Sequence, residues 1–247
     1  MTGKTYFITG GNRGIGYQLT SQLSSDPSNT LLVAIRDIKT PSVQLSQLVK
    51  EKSNIKLVQL ELTSQKDIDS IPAQITEILG QDAVIDVFLA NAGIDSRTGP
   101  TLTATDASKW ESLYKINSLA PILTFQKLYP FLQKSKTKQA IFTSSLLGSI
   151  AGYIPFHTSS YGQSKAALNY SVKALSEELK DQGFVILSIH PGLVATDMTK
   201  NLSSDLFAFP MISDVKAAEK QVALFKKLDS GFNGKFWDVD SDKEYVF

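Results

Sequence analysis

The chain has 247 residues, 42% hydrophobic and 20% charged, which suits one large α/β domain with a full core. Its formal net charge is +1, from 25 basic and 24 acidic residues, so no global field recruits nucleic acid or an anionic membrane. With no cysteine it has no disulfide, no thiolate metal site and no thiol nucleophile, and it fits a reducing compartment.

The first residues run straight into an apolar stretch, with no basic segment ahead of a long apolar run, so no signal peptide is expected. No stretch reaches the ~20 apolar residues of a membrane span. The expectation is a cytoplasmic protein without a membrane partner.

Short apolar runs at 5–8, 30–35, 56–60, 84–90, 139–143, 184–189 and 235–239 predict about seven strands. Between them, helical spacing falls at 15–24, 43–52, 66–79, 107–133, 160–181 and 214–228. Continuous apolar strands alternating with helices predict a doubly wound parallel sheet with helices on both faces, a Rossmann fold. No repeat, linker or low-complexity tract interrupts it, so residues 1–247 read as one domain. The stretch from about 193 to 212 breaks the alternation and reads as a loop covering a site.

Two local patterns carry chemistry. Thr9-Gly10-Gly11-Asn12-Arg13-Gly14-Ile15-Gly16 follows the first strand and opens the first helix. Glycines let the backbone approach a ligand, and the helix N-terminus offers N–H groups to a pyrophosphate. The spacing G-x3-G-x-G is neither the strict G-x-G-x-x-G fingerprint nor a P-loop, where Tyr17 would have to be lysine. The second pattern is Tyr161-Gly162-Gln163-Ser164-Lys165, which on a helix sets a phenol and an ammonium on one face. A neighbouring cation favours the phenolate, so Lys165 is expected to lower the Tyr161 pKa toward neutrality. Only His157 and His190 occur, without a G-x-S-x-G elbow, which argues against a hydrolase and against a protein-bound catalytic metal.

Together the glycine stretch and Tyr161-x3-Lys165 resemble the short-chain dehydrogenase/reductase family. Asn91-Ala92-Gly93 after the fourth strand, Asn117 in the next helix, Ser144-Ser145 after the fifth strand and Pro191-Gly192 after the sixth follow in the family's order. Ala90 stands where the family usually has a first Asn. The end, Gly234-Lys-Phe-Trp-Asp-Val-Asp240, resembles carbonyl-reductase, sniffer-type and fungal ketoreductase members, with Ser241 replacing a usual Gly.

The resemblance implies a nicotinamide dinucleotide held by Gly10, Asn12, Arg13, Gly14, Ile15, Gly16, Asn91, Ala92, Gly93, Pro191, Gly192, Val194 and Thr196, with Tyr161 and Lys165. Ile35 stands at the position of the NAD-selecting acid, and Arg36 at that of the basic residue in NADP users. Arg36 with Arg13 therefore implies NADP(H), while Asp37 could admit NADH by turning inward. Glu61 falls where the family has Asp beside the adenine.

The implied catalytic set is Asn117, Ser145, Tyr161 and Lys165. Tyr161 would be general acid in reduction, Ser145 the second donor to the carbonyl oxygen, and Lys165 the cation beside the phenol and cofactor ribose. Asn117 would hold a water linking Lys165 to solvent. The gap from Ser145 to Tyr161 is longer than the family commonly has, and it should shape the pocket rim.

Leu146, Leu147, Tyr153, Phe156, Leu193 and Met198 are expected to form an apolar substrate wall, with Phe207 and Phe209 in the following loop. No cluster of Arg or Lys accompanies them, so the expected substrate is a neutral, fairly hydrophobic aldehyde or ketone. Alternatives are an alcohol dehydrogenase working in oxidation and a non-catalytic NADP-binding sensor or scaffold. The resemblance also implies a homodimer or homotetramer through the helices at 107–133 and 160–181.

Overall fold

Residues 3–95, 101–155, 159–199 and 210–247 are described by the computed structural model. Strands β1 (Thr5–Thr9), β2 (Thr30–Ile35), β3 (Ile55–Gln59), β4 (Val87–Ala90), β5 (Gln139–Thr143) and β6 (Val185–His190) are the expected apolar runs: β2 and β5 keep their bounds, β1 gains a residue, β3 and β6 shift by one, and β4 starts later. Helices α1 (Gly14–Leu23), α2 (Val43–Glu51) and α3 (Gln65–Leu79) connect the first four. Helices α4 (Ala107–Tyr114) and α5 (Ala120–Leu132) lead to β5, and α6 (Ser159–Glu178) leads to β6. A small pair, β7 (Val194–Ala195) and β8 (Ile212–Ser213), precedes α7 (Asp214–Lys227), β9 (Phe236–Asp238) and β10 (Lys243–Tyr245).

Eight strands, one more than expected, form the main sheet in the order β10-β9-β6-β5-β4-β1-β2-β3. Every pairing is parallel except β9 with β10. The eighth strand, Lys-Glu-Tyr, has no apolar run to announce it, because an edge strand buries little; it pairs Glu244 with Trp237.

Alternation along each strand sends side chains to two separate cores. Phe7, Leu32, Phe88 and Phe142 pack with Ile71, Ile75, Leu128 and Val172 from α3, α5 and α6. Ile8, Leu31, Val33, Leu89 and Ile141 pack on the other face with Leu19, Leu45 and Leu224 from α1, α2 and α7. Edge-to-face contacts of Phe88 with Phe7 and Phe142, at 6.1 and 5.6 Å, tie β1, β4 and β5 laterally.

Two expectations need correction. The helix expected over 107–133 is broken by a π turn at Lys115–Leu119, because apolar periodicity alone does not reveal one inserted residue. The loop expected over 193–212 begins and ends in order: Val194 pairs with Ile212 and Ala195 with Ser213, which fixes both of its feet.

Candidate active site

β1 and β4 are neighbours, yet the chain leaves them in opposite directions, toward β2 and β3 and toward β5 and β6. Such a reversal opens a crevice at the carboxyl ends of the strands. Here it is a cleft of about 650 Å³, walled by residues that follow β1 through β6. Gly10, Asn12, Arg13, Gly14, Ile15 and Gly16 line it.

The turn into α1 is tight. Gly10 and Gly14 take φ of +72° and +54°. A Cβ on Gly16 would stand 2.2 Å from the Gly10 carbonyl oxygen and 2.6 Å from Nδ2 of Asn91. Serines cap the first turns of α2, α3 and α7, whereas α1 begins at Arg13 with no side-chain cap and no acid in its first turn. Its N–H groups and positive dipole end therefore face the cleft, and this donor set fits a dinucleotide pyrophosphate. Opposite, the Thr9 hydroxyl accepts the N–H groups of Asn91 and Ala92, each at 3.1 Å, and Nδ2 of Asn91 donates to the Thr9 carbonyl at 3.1 Å. The two walls are thus locked together below the ligand space. The Asn12 side chain faces elsewhere, accepting the Ser42 N–H at 2.7 Å.

At the cleft's other end, α6 places Tyr161 and Lys165 on one face, with Nζ 5.8 Å from the phenol ring centre. Lys165 is buried, and Nζ donates to the Thr143 carbonyl at the end of β5, at 2.8 Å. Burial lowers its pKa to about 8. The Tyr161 phenol moves opposite to expectation: burial raises its pKa well above the usual tyrosine value, and the Asp95 carboxylate adds to the rise. A hydrogen bond with the Ser145 side chain opposes both. Ser145 Oγ also accepts the Leu147 N–H at 3.2 Å.

Asn117 lies in the π turn and is fully buried. Its Nδ2 donates to the Ile94 carbonyl at 2.8 Å and to Ser164 Oγ at 3.1 Å, while Oδ1 accepts the Ile94 N–H at 2.8 Å. Both amide donors are thereby committed to the β4 loop and to α6. The side chain ties these two elements together.

Two ion pairs lie along the cleft wall. Arg36 Nε pairs with Glu61 Oε2 at 3.1 Å, and Arg13 lies 3.6 Å from Asp197. Asp37 also lines the cleft, and its carboxylate accepts from the Lys39 N–H and the Thr40 hydroxyl, which holds its pKa below the usual range.

The short chain dehydrogenase profile matches residues 4–206. This chain belongs to the short-chain dehydrogenase family. An uncharacterised oxidoreductase of Saccharomyces cerevisiae is 40% identical over 97% of this chain and 96% of its own. The NADPH-bound carbonyl reductase from chicken fatty liver superposes with a TM-score of 0.88 at 25% identity, covering 100% of both chains. The carbonyl reductase Sniffer of D. melanogaster gives 0.88 at 27% identity, covering 99% of this chain and 100% of that one.

In this short-chain dehydrogenase the expected residues divide. Arg36, Glu61, Asn91, Ala92, Gly93, Tyr161, Lys165, Pro191, Thr196 and Met198 line the cleft with the glycine turn. Gly192 packs against Asp240 and Ile212 behind the wall, and Val194 is buried in the β7–β8 pair. Among the described residues of the expected substrate wall, Met198 lines the cleft. Leu146, Leu147 and Leu193 are half-buried outside it, Tyr153 is exposed, and Phe156, His157, Phe207 and Phe209 lie outside the described residues. The short turn at Leu146–Gly148 lies close on α6: a Cβ on Gly162 would stand 2.5 Å from the Leu147 carbonyl oxygen, and one on Gly148 would stand 2.7 Å from Lys165. His190 is packed, as its place before Pro191 suggests; burial lowers its pKa to about 4.

Sequence reasoning misses Thr40, Leu62, Ile94, Asp95, Ile116, Thr143 and Asp197 in the cleft wall. A signal exists for Asp95 and Asp197, since each closely follows an assigned motif.

Proposed function

We propose that this chain is an NADPH-dependent reductase of neutral, fairly hydrophobic aldehydes or ketones, acting as one catalytic domain in the cytoplasm. The observation that carries the reading is the geometry at one end of the cleft: α6 sets the Tyr161 phenol and the buried Lys165 on one face, with Nζ 5.8 Å from the ring centre and bonded to the Thr143 carbonyl. Burial raises the Tyr161 pKa, which suits a group that gives a proton to a carbonyl oxygen. Two NADPH-compatible features support the cofactor: Arg36 and Arg13 at the adenosine end, and Asp37 tied into its own turn.

Bound NADPH would supply the hydride that reaches the carbonyl carbon. Gly14, Ile15 and Gly16 would hold its pyrophosphate by backbone N–H groups, and Arg36 its 2′-phosphate. As charge develops on the carbonyl oxygen, Tyr161 Oη gives up its proton to it, with Ser145 Oγ as the second donor. The Lys165 ammonium stabilises the phenolate left behind. Asn117 acts as a positioning residue, holding the Ile94 loop against α6 through its three hydrogen bonds. Met198 contributes an apolar contact to the substrate side of the cleft.

The test is NADPH consumption by purified protein across aldehydes, aromatic ketones, quinones, sugars and steroids. Turnover concentrated on the neutral apolar carbonyls is expected. No turnover on any of them, with NADPH still bound, would replace this reading with that of a cofactor sensor.

A further inference from the structure

Strands β2 and β3 end side by side at the adenosine end of the cleft. Their parallel register sets Ile35 beside Gln59, so Arg36 and Glu61 leave the sheet at the same edge. Gln59 fastens that edge: Nε2 donates to the Arg36 carbonyl at 2.6 Å and to Asp67 at 3.1 Å, and Oε1 accepts the Ile38 N–H at 3.2 Å. Asp67 in turn accepts the Glu61 N–H at 2.9 Å. The Glu61 carboxylate is anchored on one side, where Oε1 takes the N–H and hydroxyl of Thr63, each at 2.9 Å. Its other oxygen holds Arg36 Nε at 3.1 Å. Glu61 is thus a fixed acid against which a far more exposed guanidinium leans, and both line the cleft.

We infer that Glu61 is a specificity-setting residue, a built-in rival of the cofactor's 2′-phosphate that restrains selection of NADPH over NADH. The inference rests on Arg36 being the phosphate ligand proposed above. A phosphate engages a guanidinium best through paired hydrogen bonds, and a carboxylate already bonded to Nε occupies one edge of the fork. The same carboxylate repels a dianion brought to Arg36. A dinucleotide without the 2′-phosphate meets neither obstacle and leaves the ion pair intact. Glu61 therefore acts on the ratio of the two cofactors.

The experiment is a fluorescence titration of NADPH and NADH into the wild-type protein, E61Q, R36Q and the double variant at low ionic strength. Glutamine keeps an oxygen for Thr63 and removes the charge. E61Q should tighten NADPH about fivefold and move NADH less than about twofold, a size suited to a partly exposed charge contact. Against the R36Q background most of that gain should vanish. Unchanged NADPH affinity in E61Q, or an equal shift for both cofactors, overturns the inference. Wild-type preference for NADH would instead overturn Arg36 as the phosphate ligand, an outcome read from a different pair of curves. Thermal melting of each variant separates these results from misfolding.

Discussion

The two ends of the cleft hold their functional groups in opposite ways. At the chemical end, Lys165 and Asn117 are buried and bonded to backbone, with Lys165 3% and Asn117 0% exposed. At the proposed adenosine end, Arg36 is 79% exposed and its partner Glu61 32%. Buried hydrogen bonds fix a geometry at high cost to anything that disturbs them, whereas exposed ion pairs are weak, screened and exchangeable. Proton transfer needs the first arrangement. A cofactor that must be chosen, bound and released suits the second.

That contrast can be broken, beginning where the effects are largest. Tyr161→Phe should lower NADPH-linked turnover by about 10³-fold while changing NADPH affinity little, because the ring packing survives and only the proton donor is lost. Measured kcat beside a titrated Kd checks it; activity near wild type would remove Tyr161 from the chemistry.

Asn117→Ala leaves the buried Ile94 N–H and carbonyl without their partner, which should cost about 2–4 kcal/mol of stability in denaturant unfolding. Turnover should fall with it. If stability holds while turnover collapses, Asn117 touches the reaction directly.

Acid should also act on the buried side. His190, whose pKa burial lowers to about 4 while the Asp238 and Asp240 carboxylates oppose the shift, is favoured neutral in the fold. Its contribution is present above the unfolded value near 6.5 and is lost as pH falls through about 4. The melting temperature should drop across that window, and less steeply in His190→Gln.

The smallest effect belongs to the exposed end. Arg36→Gln should weaken NADPH by about tenfold at low salt and by less at about 0.5 M, leaving NADH nearly unchanged. Equal losses for both cofactors would show that Arg36 supports the fold of the cleft edge and not the phosphate.

Much of the fold is legible in the amino-acid order. The apolar runs mark the parallel strands because both sheet faces are covered, so most of their residues are apolar. The glycine turn and Tyr161-x3-Lys165 are readable because backbone approach and one helical turn are local properties. What depends on register is not. Arg36 and Glu61 each draw notice alone, yet only the alignment of Ile35 with Gln59 makes them a pair. The sign of the Tyr161 shift escapes for a related reason: a neighbouring lysine is visible in sequence, while burial and the Asp95 charge come from distant segments.

The π turn at Lys115–Leu119 is one residue more than a regular helix would need. An added residue turns everything beyond it by about 100°, a little over a quarter of a revolution. Deleting any single residue of that turn would therefore give a better helix and a worse protein. Tertiary demand here overrides local preference, and a sequence optimised only for helicity through this stretch would erase the bond between Asn117 and Ile94.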